Sequence, residues 1–129
     1  MAGKSTKTKL KAKLDKVFSI YVRTKDADEK GMVACFTCGQ VKHWKEMHAG
    51  HFMTRARHAT RWLTTNVKPQ CPKCNLYNHG QQYQFGINLD AKYGTGTADR
   101  IRIASHETVK YTEADYEILI EQYTQATKV

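Results

Sequence analysis

Four cysteines are the only ones in this chain, and they fall into two pairs, Cys35-x-x-Cys38 and Cys71-x-x-Cys74. Each pair offers two sulfurs from one tight turn, so together they supply the four corners of a tetrahedral zinc site. The turn formers Gly39 and Pro72 sit at the two pairs. Four thiols that merely pack in a core would not need this spacing. A closed four-thiolate site leaves no position for water, so the zinc it predicts is structural, not catalytic. Everything between Cys38 and Cys71 must then leave the metal and return to it.

The composition fits a small, metal-stapled, basic domain. A length of 129 residues bounds one domain. Lys and Arg outnumber Asp and Glu by 21 to 12, a formal net charge of +9, which predicts a polyanionic partner. No stretch is long and apolar enough to span a membrane. The first residues lack the apolar run of a secretory signal, so the cysteines are expected as metal-bound thiolates in a reducing compartment. Only 40% of the residues are hydrophobic, so bound zinc is expected to supply part of the folding free energy.

Residues 1–9 read as a flexible basic arm, and residues 10–129 as a single domain. Leu10, Leu14, Val17, Phe18 and Tyr21 recur at helical spacing and predict a helix to about Lys25. Met32 to Ala34 predicts a strand, and His43 through Phe52 a second. Residues 53–65 form a basic loop. Pro69 holds 66–70 extended. A helix is expected from Asn75 to Tyr93, with Tyr83, Ile87 and Leu89 facing the core. A short helix follows over 98–105. Thr112 opens the last helix, whose apolar face is Tyr116, Leu119, Ile120 and Tyr123.

The insert between the cysteine pairs holds His51, Asn66 and a run of arginines. These are residue types that cut phosphodiesters. His51 follows Gly50, and an imidazole with an ordinary pKa of about 6.5 can take a proton from water at neutral pH. Arg55, Arg57 and Arg61 can each grip a phosphate through two parallel N–H groups. Lys68 and Lys73 extend the expected DNA-binding set. Trp44 and Trp62 read as packing residues.

Several stretches carry a resemblance to known nucleases. They are Phe18-Ser19-x-Tyr21-x-Arg23, Cys35 to Gly39, Trp44, Ala49-Gly50-His51-Phe52, Arg61, Asn66-Val67, Gln70 to Asn75, Gly80 and Lys92-Tyr93-Gly94. The order from Cys35 to Asn75 resembles the HNH, or ββα-metal (His-Me finger), nuclease core. It is similar to endonuclease VII-type resolvases, and more so to the lambdoid phage NinG (Rap) recombination nucleases.

The resemblance implies an α+β fold in which a small zinc-stabilised ββα-metal core, about residues 32–94, is flanked by N- and C-terminal helices. It implies a structure-specific endonuclease that cuts branched recombination intermediates such as Holliday junctions and D-loops in the bacterial host cytoplasm. His51 would be the general base, Asn66 would orient it across the loop, and Asn75 would hold a catalytic Mg²⁺ or Mn²⁺. Such enzymes usually place Asp before the base, where this chain has Gly50. His79, four residues after Asn75 on the expected helix, is the favoured second ligand, with Asn78 and His48 as alternatives.

Two rival classes need comparison. A zinc nucleobase deaminase needs His-x-Glu and a Pro directly before its Cys-x-x-Cys, and neither is present. A non-catalytic zinc-finger DNA-binding protein would explain the cysteines and the charge, but not His51 and Asn75 in these places. Paired cuts in a four-way junction also favour a homodimer, through the apolar stripe of the first or the last helix.

Overall fold

The structure is a computed structural model that describes residues 5–127. Helix α1 spans Thr6–Lys25, and the Ser5 hydroxyl caps it by accepting the Thr8 N–H at 3.1 Å. The cap starts the helix earlier than Leu10, so residues 6–9 belong to α1 and not to a basic arm. Residues 1–4 of that arm lie outside the described residues.

Strands β1 (Met32–Ala34) and β2 (Val41–His43) pair antiparallel, with the first cysteine pair in their connection. The Cys35 carbonyl accepts the Gly39 N–H at 2.9 Å, and Gly39 takes a φ of 80°, which glycine adopts without steric cost. The second strand expected through Phe52 is interrupted. The His43 ring accepts the Lys45 N–H at 3.2 Å and starts a 3₁₀ turn at Trp44–Glu46, so β3 is only His48–His51. It pairs antiparallel with β4, Val67–Gln70, in the register His48 with Gln70 and His51 with Val67. The Pro69 carbonyl accepts the Phe36 N–H at 2.8 Å and joins the two sheets.

The basic loop between β3 and β4 contains a short helix, α2, at His58–Arg61. After the second cysteine pair, the expected continuous helix does not form. A π turn at Lys73–Tyr77 is followed by three left-handed residues, His79, Gly80 and Gln81, with φ of 53°, 78° and 51°. Helix α3 begins only at Gln82 and runs to Tyr93. The break re-phases it. Phe85 and Leu89 are buried, whereas Tyr83 and Ile87 are 84% and 45% exposed. Helices α4 (Thr97–Ser105) and α5 (Glu113–Ala126) follow, the latter opened by a reciprocal cap between Thr112 and Asp115.

The main core packs α1 on α5. Leu14, Phe18 and Val22 meet Tyr116, Ile120 and Tyr123, with Trp62 and Val67 beneath. The Phe18 ring meets Tyr123 edge-on at 4.8 Å between centroids. The two apolar stripes that the sequence offered to a second copy therefore cover each other within one chain. Among the described residues no helix is long and apolar enough to cross a membrane.

The cysteine cluster forms its own small core with Val33 and Met47. All four sulfurs lie within 4.8 Å of one another, and Cys38 and Cys71 are 3.7 Å apart. A tetrahedron of 2.3 Å zinc–sulfur bonds has edges of about 3.8 Å, so the cluster can hold zinc. Burial, with the neighbouring sulfurs, pushes the Cys74 thiol up to about 12. Four thiolates cannot share this space without a dication to balance them. Replacing Cys71 with Ser should therefore abolish zinc binding and cooperative unfolding together. Zinc stoichiometry and near-UV circular dichroism check this. One ion per chain is expected in the parent, and a variant that stays folded without zinc would contradict it.

Candidate functional site

A cleft of about 540 Å³ opens beside β3, between α1, the 3₁₀ turn and the turn after the second cysteine pair. His48, His51 and Asn75 border it, together with Lys16, Arg23, Lys45 and Arg55.

His51 closes β3, and its Nε2–H donates to the Arg61 carbonyl at 3.0 Å. A carbonyl only accepts, so the proton sits on Nε2 and Nδ1 keeps its lone pair. Burial pushes the His51 pKa below its ordinary 6.5, and the nearby Arg55 charge adds to this. The Arg61 carbonyl and Asp15 pull the other way without reversing it. His51 is thus a neutral base at neutral pH.

A buried group, Asn66, and a half-buried one, Asp15, hold the loop that carries the Arg61 carbonyl. Asn66 is fully buried, accepts the Met53 N–H at 2.7 Å, and donates to the carbonyls of Thr60 and Met53 at 2.9 and 3.1 Å. It locks both ends of the loop and works behind His51, not in the cleft. Asp15 of α1 takes the Arg61 guanidinium at 2.5 and 3.1 Å, Trp62 Nε1–H at 3.0 Å and Arg55 at 2.9 Å. Burial alone would raise the Asp15 pKa, but Arg61 and then Arg55 hold it below the usual carboxylate range.

Asn75 follows the second cysteine pair, and its N–H bonds the Cys71 carbonyl at 3.0 Å. Its side-chain N–H donates to His48 Nδ1 at 2.9 Å. The helical face that Asn75 and His79 were expected to share does not exist, because the left-handed break lies between Asn75 and α3. His79 and Asn78 are exposed and do not border the cleft. Gly50 cannot be replaced by a ligand. A Cβ there would collide with the Gln70 amide, which donates to Thr37 Oγ1 and the Gly80 carbonyl.

The expected DNA-binding set divides. Arg55 stands at the cleft rim with its side chain 61% exposed, paired with Asp15. Arg57 and Lys73 are exposed outside the cleft. Arg61 is turned inward to Asp15, its side chain 12% exposed. Lys68 is only 6% exposed, donates to the Tyr93 hydroxyl, and lies over the Tyr93 and Phe36 rings. Lys16 belongs to the lysines of residues 4–16 expected to contact phosphate, whereas sequence reasoning did not assign Arg23 or Lys45 to the site. Arg23 stood in the Phe18-Ser19-x-Tyr21-x-Arg23 stretch, and it donates to the Ser19 and Trp44 carbonyls at 3.1 and 3.3 Å.

Burial, with Lys92 and Lys25 nearby, lowers the Lys68 pKa from 10.5 to about 8. The unfolded chain then binds the extra proton between pH 8 and 10.5, so this group makes stability rise with pH across that window. The effect is on the order of 3 kcal/mol. Lys68→Met should remove that slope from denaturant melts run at pH 7.5 to 10.5. A slope equal to that of the parent would show that Lys68 titrates as a surface lysine.

No curated protein matches the chain. No solved structure matches it either. The family model described as Bacteriophage Lambda NinG protein matches residues 2–129, nearly the whole length. The chain that builds this cleft beside a four-cysteine cluster belongs to the phage lambda NinG family.

Proposed function

We propose that this chain is a metal-dependent endonuclease of HNH type that hydrolyses phosphodiesters in branched DNA. The observation that carries the reading is the setting of His51. It is neutral, its tautomer is fixed by the Arg61 carbonyl, and it borders a cleft lined by basic side chains. A phosphodiester drawn into that cleft by Lys16, Arg23, Lys45 and Arg55 lies beside a base with a free lone pair.

The chemistry follows from these groups. His51 Nδ1 takes a proton from water as the water oxygen bonds to phosphorus. The bond from phosphorus to the 3′-oxygen breaks on the opposite side, leaving 5′-phosphate and 3′-hydroxyl ends. The basic side chains hold the phosphate in line. A Mg²⁺ or Mn²⁺ ion at Asn75, when bound, supplies charge stabilisation at the pentavalent phosphate and the leaving oxygen. Asn66 and Asp15 act through the loop, keeping the Arg61 carbonyl where His51 needs it. Two matched cuts in a junction need two chains, and their contact would use a surface other than the α1 and α5 stripes, which are covered.

The test is cleavage of a labelled four-way junction and of linear duplex, with Mg²⁺ or Mn²⁺ against EDTA. Junction cutting should require the ion. His51→Ala should lower it on the order of 10²–10⁴-fold while DNA binding persists. Because the base must be neutral, the rate should rise with pH through a midpoint below 6.5 and stay flat above it. DNA binding without cutting in either ion would support the non-catalytic zinc-finger DNA-binding protein instead.

A further inference from the structure

We infer that His48 is the second protein ligand of the catalytic ion, and that the ion binds together with DNA rather than before it. The inference rests on the nuclease reading above and deepens it. His48 Nδ1 lies 2.9 Å from the Asn75 side-chain amide. Adjacent donors on an octahedral ion with bonds near 2.1 Å stand about 3.0 Å apart, so the pair is already at ligand spacing. An amide N–H only donates, so His48 Nδ1 carries its lone pair, as a metal ligand must. Turning the Asn75 amide over brings its oxygen to the same point. The usual ligand position before the base is closed, because the Gln70 amide fills the room beside Gly50. The 3₁₀ turn at Trp44–Glu46 feeds His48 into the first position of β3, and His48 and His51 border one cleft.

This donor set carries no negative charge. Asp15 is the one acidic residue bordering the cleft among the described residues, and its carboxylate is held by Arg61, Arg55 and Trp62. Lys16, Arg23, Lys45 and Arg55 repel a free dication from the same space. The compensating charge must come from the phosphodiester. The imidazole donor also favours a first-row transition ion such as Mn²⁺ over Mg²⁺. By linkage, DNA tightens Mn²⁺ by the same factor as Mn²⁺ tightens DNA.

The experiment is a Mn²⁺ titration followed by the electron paramagnetic resonance of the free ion. It uses the zinc-loaded full chain carrying His51→Ala, so that DNA stays uncut. Binding by the DNA alone is subtracted. Mn²⁺ affinity should rise at least tenfold when a short branched DNA is added. His48→Ala or Asn75→Ala in that background should each remove the gain, with zinc content and circular dichroism unchanged. A gain that survives His48→Ala, or an affinity equal with and without DNA, overturns the inference. Cleavage by the unmodified chain alongside such a result would leave the nuclease reading standing. The reverse pattern, a His48-dependent gain with no cleavage by the unmodified chain, would uphold the site and remove the nuclease.

Discussion

Four sulfurs packed within 4.8 Å of one another fix where two distant turns of this chain must meet. That constraint brings the β1–β2 connection against the end of β4, and the Phe36 to Pro69 hydrogen bond then links the two sheets. It also determines the position of Asn75, one residue past the last cysteine, whose backbone is tied to Cys71. In so small and basic a chain, few other contacts could hold these segments together against their conformational entropy. The catalytic cleft proposed here is bordered by residues that the cluster positions on one side and by α1 on the other.

The second organising feature is polar and partly buried. Asp15 and Asn66 together satisfy the loop between β3 and β4 from both sides. A loop of this kind would otherwise bury backbone groups without partners, which is costly. Here the same hydrogen bonds that stabilise the loop present one carbonyl, that of Arg61, to His51. Stability and the tautomer of His51 are therefore coupled. The arginine that the sequence offered to a phosphate is used to build the loop instead, and the basic groups left bordering the cleft come mainly from α1 and the 3₁₀ turn.

The second metal site proposed above differs from the cysteine cluster in charge. The cysteine cluster carries ample negative charge once its thiols ionise, so it suits a permanently held dication. The proposed His48 and Asn75 site carries no negative charge and has cationic side chains around it, so it would suit an ion that arrives with an anion.

The sequence by itself determined what short-range chemistry determines. The paired cysteines, the Gly39 turn, the strands at Met32–Ala34 and Val67–Gln70, and the capped last helix all follow from local spacing and propensity. So did the membership of His51 and Asn75 in one region, since the cysteine pairs bracket one and directly precede the other. Tertiary structure decided the rest. Periodicity ran Asn75 to Tyr93 as one helix, but Gln70 reaches across to the Gly80 carbonyl at 2.8 Å at the point where the chain turns left-handed, which separated His79 from Asn75. Charge marked Arg61 and Lys68 as DNA contacts, but a carboxylate on α1 and two aromatic rings drew them inward. Strand alternation set His48 apart from His51, but the Asn75 amide, 27 residues on, meets its Nδ1 at 2.9 Å beside the same cleft. In each case the deciding partner is ten or more residues away in sequence, where neither propensity nor spacing can register it.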